Sequence, residues 1–183
     1  MGIGFLLLAL LFPPICYGAP QSASFSVPDD EVKAAVLYHL TQFVEWPAKD
    51  GWEVYRICVA GSPGTSASLV HLAQGKLVGS HPIRISRITG PSEARSCQIL
   101  FIAACPKPRL QQYLTSVRDA GILTIGEQPG FVDLGGMIEL FLQGPRIGLT
   151  LNPEAIQRSH LTVSSKLLRL DRRAGEKIPL ETH

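Results

Sequence analysis

Residues 54–74 read Val54-Tyr55-Arg56-Ile57-Cys58-Val59-Ala60, then Gly61-Ser62-Pro63-Gly64-Thr65-Ser66, then Ala67-Ser68-Leu69-Val70-His71-Leu72-Ala73-Gln74. An apolar, β-branched run that stops on a glycine and passes through a short turn into a helical stretch is the first half of a βαβ unit. The second half follows: residues 82–88 alternate Ile83, Ile85 and Ile88 with arginines and serine, as a strand does. Residues 99–104 are apolar throughout, the pattern of a strand covered on both faces. Pro108 then opens a helix whose Leu110, Tyr113, Leu114 and Val117 share one face; Gly121 closes it, and 122–125 form another short buried strand. This alternation predicts a mostly parallel sheet with flanking helices and right-handed crossovers.

The rhythm changes after Gly130. Residues 136–142 and 146–151 are apolar runs joined by Gln143-Gly144-Pro145, short enough for an antiparallel hairpin added to the sheet. The expected fold class is therefore α/β, a single domain over residues 29–174. Upstream, Asp29, Asp30 and Glu31 put negative charge on the first turn of a helix. Its apolar positions Val32, Ala35, Val36, Leu40, Phe43 and Val44 recur at helical intervals, and Pro47 is expected to end it at Trp46. Downstream, Asn152 and Pro153 start the closing helices. There Leu161, Val163, Leu167, Leu168 and Leu170 form a stripe opposite Lys166, Arg169, Arg172 and Arg173, and residues 175–183 form a polar, frayed tail.

The run 2–15 is apolar and too short to cross a bilayer, and Cys16-Tyr17-Gly18-Ala19 supplies small residues for cleavage, so residues 1–19 read as a signal peptide. Residues 20–28 read as a flexible leader. The expected location is the periplasm. A net charge of +2 without a basic block calls for neither nucleic acid nor an anionic membrane. In such a compartment Cys58, Cys97 and Cys105 amount to one bridge and one leftover thiol. Cys97 and Cys105 flank an extended run rising ~3.3 Å per residue, far too long for the ~7 Å Cα limit of a disulfide. Neighbouring strands can join Cys58 to Cys97, which leaves Cys105 free. Chemistry is sparse: the 61–66 turn matches no phosphate-binding pattern, no serine elbow occurs, and His39, His71, His81, His160 and His183 stand at no metal-ligand spacing. No catalytic residue, metal or cofactor is expected. A binding protein is, with a periplasmic small-molecule receptor, its pocket near 61–66 and Gly126, as the rival reading.

The run Glu31-Val32-Lys33-Ala34-Ala35-Val36-Leu37-Tyr38-His39-Leu40, with Phe43-Val44-Glu45-Trp46-Pro47, resembles the N-terminal signature of the YfiR family. Further blocks resemble the family in the same order: Arg56 to Gly61, Cys97 to Ile102, Leu123 to Gly126, Gly135 to Ile138 and Leu161 to Leu168. The resemblance implies a periplasmic α/β protein that is not an enzyme and that holds inactive the sensory domain of a membrane-anchored diguanylate cyclase. A sensor kinase is a further candidate target, an outer-membrane lipoprotein would release the repressor, and the protein itself would be a homodimer. An apolar content of 45% accords with self-association. Cys58 and Cys97 match one family pair, whereas the second pair expected near 131–142 is missing. Partner contacts are expected from Tyr38, Phe43, Trp46, Ser164, Ser165, Lys166, Arg169 and Arg172, on helical surfaces near the two ends of the domain.

Overall fold

Helix α1 (Asp29–Leu40) leads through a two-residue strand β1 (Val44–Glu45) into the central strand β2 (Tyr55–Ala60). The computed structural model describes residues 29–47, 51–143 and 146–171. The expected signal peptide and leader, Arg172, Arg173 and the expected tail lie outside them. After β2 come α2 (Pro63–Ala73), β3 (Leu77–Val78), β4 (His81–Ile88), a 3-10 turn (Pro91–Ser96), β5 (Ile99–Ile102), α3 (Lys107–Ser116) and β6 (Leu123–Gly126). The chain closes with β7 (Ile138–Gln143), β8 (Arg146–Leu151), α4 (Pro153–Arg158), β9 (Thr162–Val163) and α5 (Ser165–Leu168).

The main sheet has seven strands in the order β3-β4-β2-β5-β6-β7-β8. From β4 to β7 every pairing is parallel; β3 and β8 run antiparallel at the two edges. The α/β class, the mostly parallel sheet and the added hairpin are thus present as expected. Strands β2, β5 and β6 are buried along nearly their whole length, which is why they read as apolar runs and not as alternating ones. One face of the sheet carries Tyr55, Ile57, Val59, Phe101 and Ile125 beneath α1 and α2, with Ile156 and Leu167 from α4 and α5. The other carries Cys58, Ala60, Leu100 and Ile102 beneath α3 and Phe131.

Three boundaries differ from the sequence expectation. α1 stops at Leu40, not at Trp46. Thr41 Oγ1 donates to Tyr38 O at 2.7 Å, and Val44 leaves the helix to pair antiparallel with Val163. A β-branched residue with a ladder partner gains more there than in another helical turn. The helix also buries Ala34, Leu37 and Leu40, so its inner face is rotated from the stripe of Val32, Ala35 and Val36. α2 begins inside the glycine turn, because Ser62 caps it and Pro63 fits its first position. Over the described residues 161–171 the long cationic C-terminal helix is not formed: β9 and a single turn of α5 take its place, with Leu167 buried and Leu168 and Leu170 exposed.

Candidate functional site

Strands β1 and β9 form their own two-stranded ladder, Val44 opposite Val163 and Glu45 opposite Thr162. Ser164 N donates to Phe43 O at 2.8 Å, and Ser164 Oγ then caps α5 by accepting from Leu167 N at 3.4 Å. Two segments lying near opposite ends of the domain are in this way welded into one surface. Between them and the edge strand β8 runs an apolar groove of about 210 Å³, lined by Val36, His39, Leu40, Phe43, Ile147, Leu149, Leu167 and Leu170. Leu170 is 60% exposed at its lip, a large apolar side chain left in water. Lys166 and Arg169 are exposed nearby on α5, where Arg169 Nε donates to Ser165 O at 3.4 Å. Such an apolar centre with a cationic margin is the anatomy of a protein-binding patch.

The remaining candidate residues distribute unequally. Tyr38 is half-buried, with the Lys76 ammonium 4.4 Å from its ring centroid. Ser165 is exposed at the start of α5, and Ser164 is half-buried as its cap. Trp46 parts company with Phe43 and is 5% exposed in the core. Its Nε1 donates to Gly121 O at 2.9 Å, and it meets Tyr55 and Trp52 edge-to-face at 5.3 and 6.2 Å. Tyr55 is fully buried, its hydroxyl has no hydrogen-bond partner among the described residues, and burial drives its pKa far above the ordinary phenol value. Arg172 lies outside the described residues. Cys58 and Cys97 are bridged, with Cα atoms 5.9 Å apart, and among the described residues Cys105 is the free thiol. Partial burial raises the Cys105 pKa against the opposing charge of Arg109, so the thiolate is disfavoured.

The crevice at the carboxyl ends of β2 and β5, where this topology usually holds ligands, is occupied by the chain itself. Asp30 of α1 accepts from Thr65 Oγ1 at 2.6 Å and Ser62 Oγ at 3.2 Å, at the start of α2. The Thr65 hydroxyl bond is the main reason its pKa is lowered, against the opposing effect of desolvation. Gly64 leaves room for it: a Cβ there would stand 1.9 Å from Asp30 Oδ2. Lys33 pairs with Glu127 just beyond β6, and Glu127 Oε1 also accepts from Ala104 N at 3.2 Å. The acidic first turn of α1 was expected to complement its own dipole; in space Asp30 serves the next helix. Among the described residues no group of His, Cys, Asp and Glu could hold a metal ion, and no helix is long and apolar enough to cross a membrane.

A family model described as YfiR/HmsC-like matches residues 30–172. The chain belongs to the YfiR/HmsC-like family. The family is regulatory and not catalytic, and it is associated with diguanylate cyclase pathways in the periplasm. Among solved structures, a conserved domain protein of Vibrio cholerae O1 biovar El Tor is similar, with a TM-score of 0.55 at 12% identity. The match covers 79% of this chain and 59% of that one, so this chain spans little more than half the length of that protein. An ABC domain from Streptococcus pneumonia, in complex with L-Trp, matches with a TM-score of 0.48 at 10% identity over 78% of this chain and 60% of that one. The likeness to the Vibrio protein is one of fold.

Proposed function

We propose that this YfiR-like protein is exported, binds the periplasmic sensory domain of an inner-membrane diguanylate cyclase, and lowers its output of cyclic-di-GMP. The observation that carries the reading is the joining of Phe43 to Ser164, which sets the N-terminal family signature and the C-terminal block around one apolar groove. Export is supported by the signal-like run at 2–15 and by the Cys58–Cys97 bridge, which persists in an oxidising compartment. The partner seats an apolar side chain in the groove and presents acidic groups to Lys166 and Arg169. A sensor kinase would be read by the same surface, an outer-membrane lipoprotein would release the repressor by competing for it, and self-association into a homodimer completes the proposal.

The test pairs the purified protein with the periplasmic domain of a cyclase encoded beside it. Arg169→Glu should slow association and reduce its salt dependence, since steering by exposed charge acts on the encounter. Leu170→Asp should raise the Kd about tenfold or more by putting a charge into a desolvated contact. If deleting the gene leaves cyclic-di-GMP unchanged and neither substitution alters binding, the repressor reading fails.

A further inference from the structure

The amino ends of β6 and β7 hold a second cavity, far in the fold from the crevice that α1 fills. It measures about 370 Å³, within the range of roughly 300–1,000 Å³ typical of small-molecule sites. Its floor is apolar: Leu114, Val117 and Met137 are all buried. Its rim carries Arg118 and Arg158. Among the described residues Arg118 has no ion-pair partner, and Arg158 reaches Asp119 only at 4.0 Å and Glu154 only at 3.9 Å, beyond hydrogen-bond distance. Both guanidinium groups therefore keep donors free to turn toward a guest. Ser159, only 2% exposed, also lines the cavity.

Asp119, with φ of 56°, and His160, with φ of 56°, flank the cavity in a left-handed conformation that side-chain-bearing residues seldom adopt. Arg118 and Arg158 both line the same opening.

We propose that this cavity between α3 and α4 binds a small monocarboxylate with an apolar body, the carboxylate held by Arg118 and Arg158 and the body lying on Leu114, Val117 and Met137. The charge balance selects a monoanion. Asp119 and Glu154 both stand against Arg158, and of the two arginines only Arg118 is without an ion-pair partner among the described residues, so one uncompensated positive charge faces the guest and a dianion would be under-compensated. A planar guanidinium fork matches a carboxylate, and the apolar floor rewards a hydrocarbon body that inorganic phosphate lacks. The site does not depend on the repressor reading, since it makes no use of the groove beside Phe43.

The experiment titrates the full-length folded protein with hexanoate, following backbone amide shifts by NMR. Hexanamide and inorganic phosphate serve as controls. Saturable binding is expected at concentrations up to about 10 mM, with shifts confined to residues near Arg118, Thr124, Met137 and Ser159. Hexanamide should bind at least about tenfold more weakly, and the paired substitution Arg118→Gln with Arg158→Gln should weaken hexanoate by a similar factor while leaving the thermal midpoint unchanged. Arg118→Lys keeps the charge but loses the fork, and it should give an intermediate loss. Absence of saturation, equal binding of hexanamide or phosphate, or insensitivity to the paired arginine substitution would each overturn the proposal.

Discussion

Removing the Cys58–Cys97 bridge, as Cys58→Ala with Cys97→Ala, should cost this fold a large share of its stability. The bond ties the middle of β2 to the segment entering β5 and closes a loop with a sequence separation of 39, which contains α2, β3, β4 and the 3-10 turn. In the chain-entropy model a loop of about 40 residues lowers the entropy of the unfolded chain by about 13 cal/mol/K, or about 4 kcal/mol at 25 °C. Both cysteines are buried, at 0% and 3% exposure, so truncation adds a packing loss on top. For a domain of this size the entropic part alone corresponds to a fall in Tm of roughly 8–16 °C, and the packing loss adds to it. Urea denaturation of the wild type and the double variant, both in the absence of reductant, measures it. Because the cross-link keeps the unfolded chain compact, the double variant should also show a steeper m-value. A loss of less than about 1 kcal/mol, with the bridge verified in the wild type by mass spectrometry of thiol-blocked protein, would refute the entropic reasoning.

Gly126 and Gly136 hold Phe131 between them, and a Cβ at either would stand 2.2 or 2.1 Å from its ring; Gly136→Ala should therefore destabilise by about 1–3 kcal/mol, part of which Phe131→Leu should restore in a double-mutant cycle. Asp30 has its pKa lowered in the folded protein, chiefly by the Thr65 hydroxyl, so its stabilising contribution is complete above the ordinary aspartate value and fades as acid passes below it through the lowered folded value. Stability measured across that acidic window should fall less steeply in Asp30→Asn than in the wild type, and parallel curves would dismiss a stabilising role for the Asp30–Thr65 hydrogen bond. Trp46→Phe keeps most of the buried ring but leaves Gly121 O without its donor, and should cost about 1 kcal/mol or somewhat more in thermal or urea unfolding.

Much of the sheet was legible because its strands announce themselves locally. Runs such as Ile99–Ile102 and Leu123–Gly126 are apolar on both faces, and glycine and proline punctuate the helices between them. The candidate site was only half legible. Phe43 and Ser164 were both recognisable from their family blocks, but each was read as part of a helix, since helical spacing cannot tell a stripe that packs on a core from a strand that pairs with a distant strand. The apolar positions Val163, Leu167 and Leu170 fit a helical period, yet the chain breaks at Ser164 because Val163 finds a ladder partner in Val44.

The sequence alone determined the βαβ alternation, the edge hairpin, the choice of Cys58 and Cys97 as the bridge and the family, because these depend on short-range periodicity, turn chemistry and residue identity at matched positions. Tertiary structure alone decided that Asp30 and Lys33 would close the crevice at the carboxyl ends of the strands, that Trp46 would turn inward while Phe43 lined a groove, and that two segments near opposite ends of the domain would share one surface. Those outcomes follow from which backbone groups and charges find partners at long range. Periodicity, which counts only near neighbours along the chain, carries no record of such pairings.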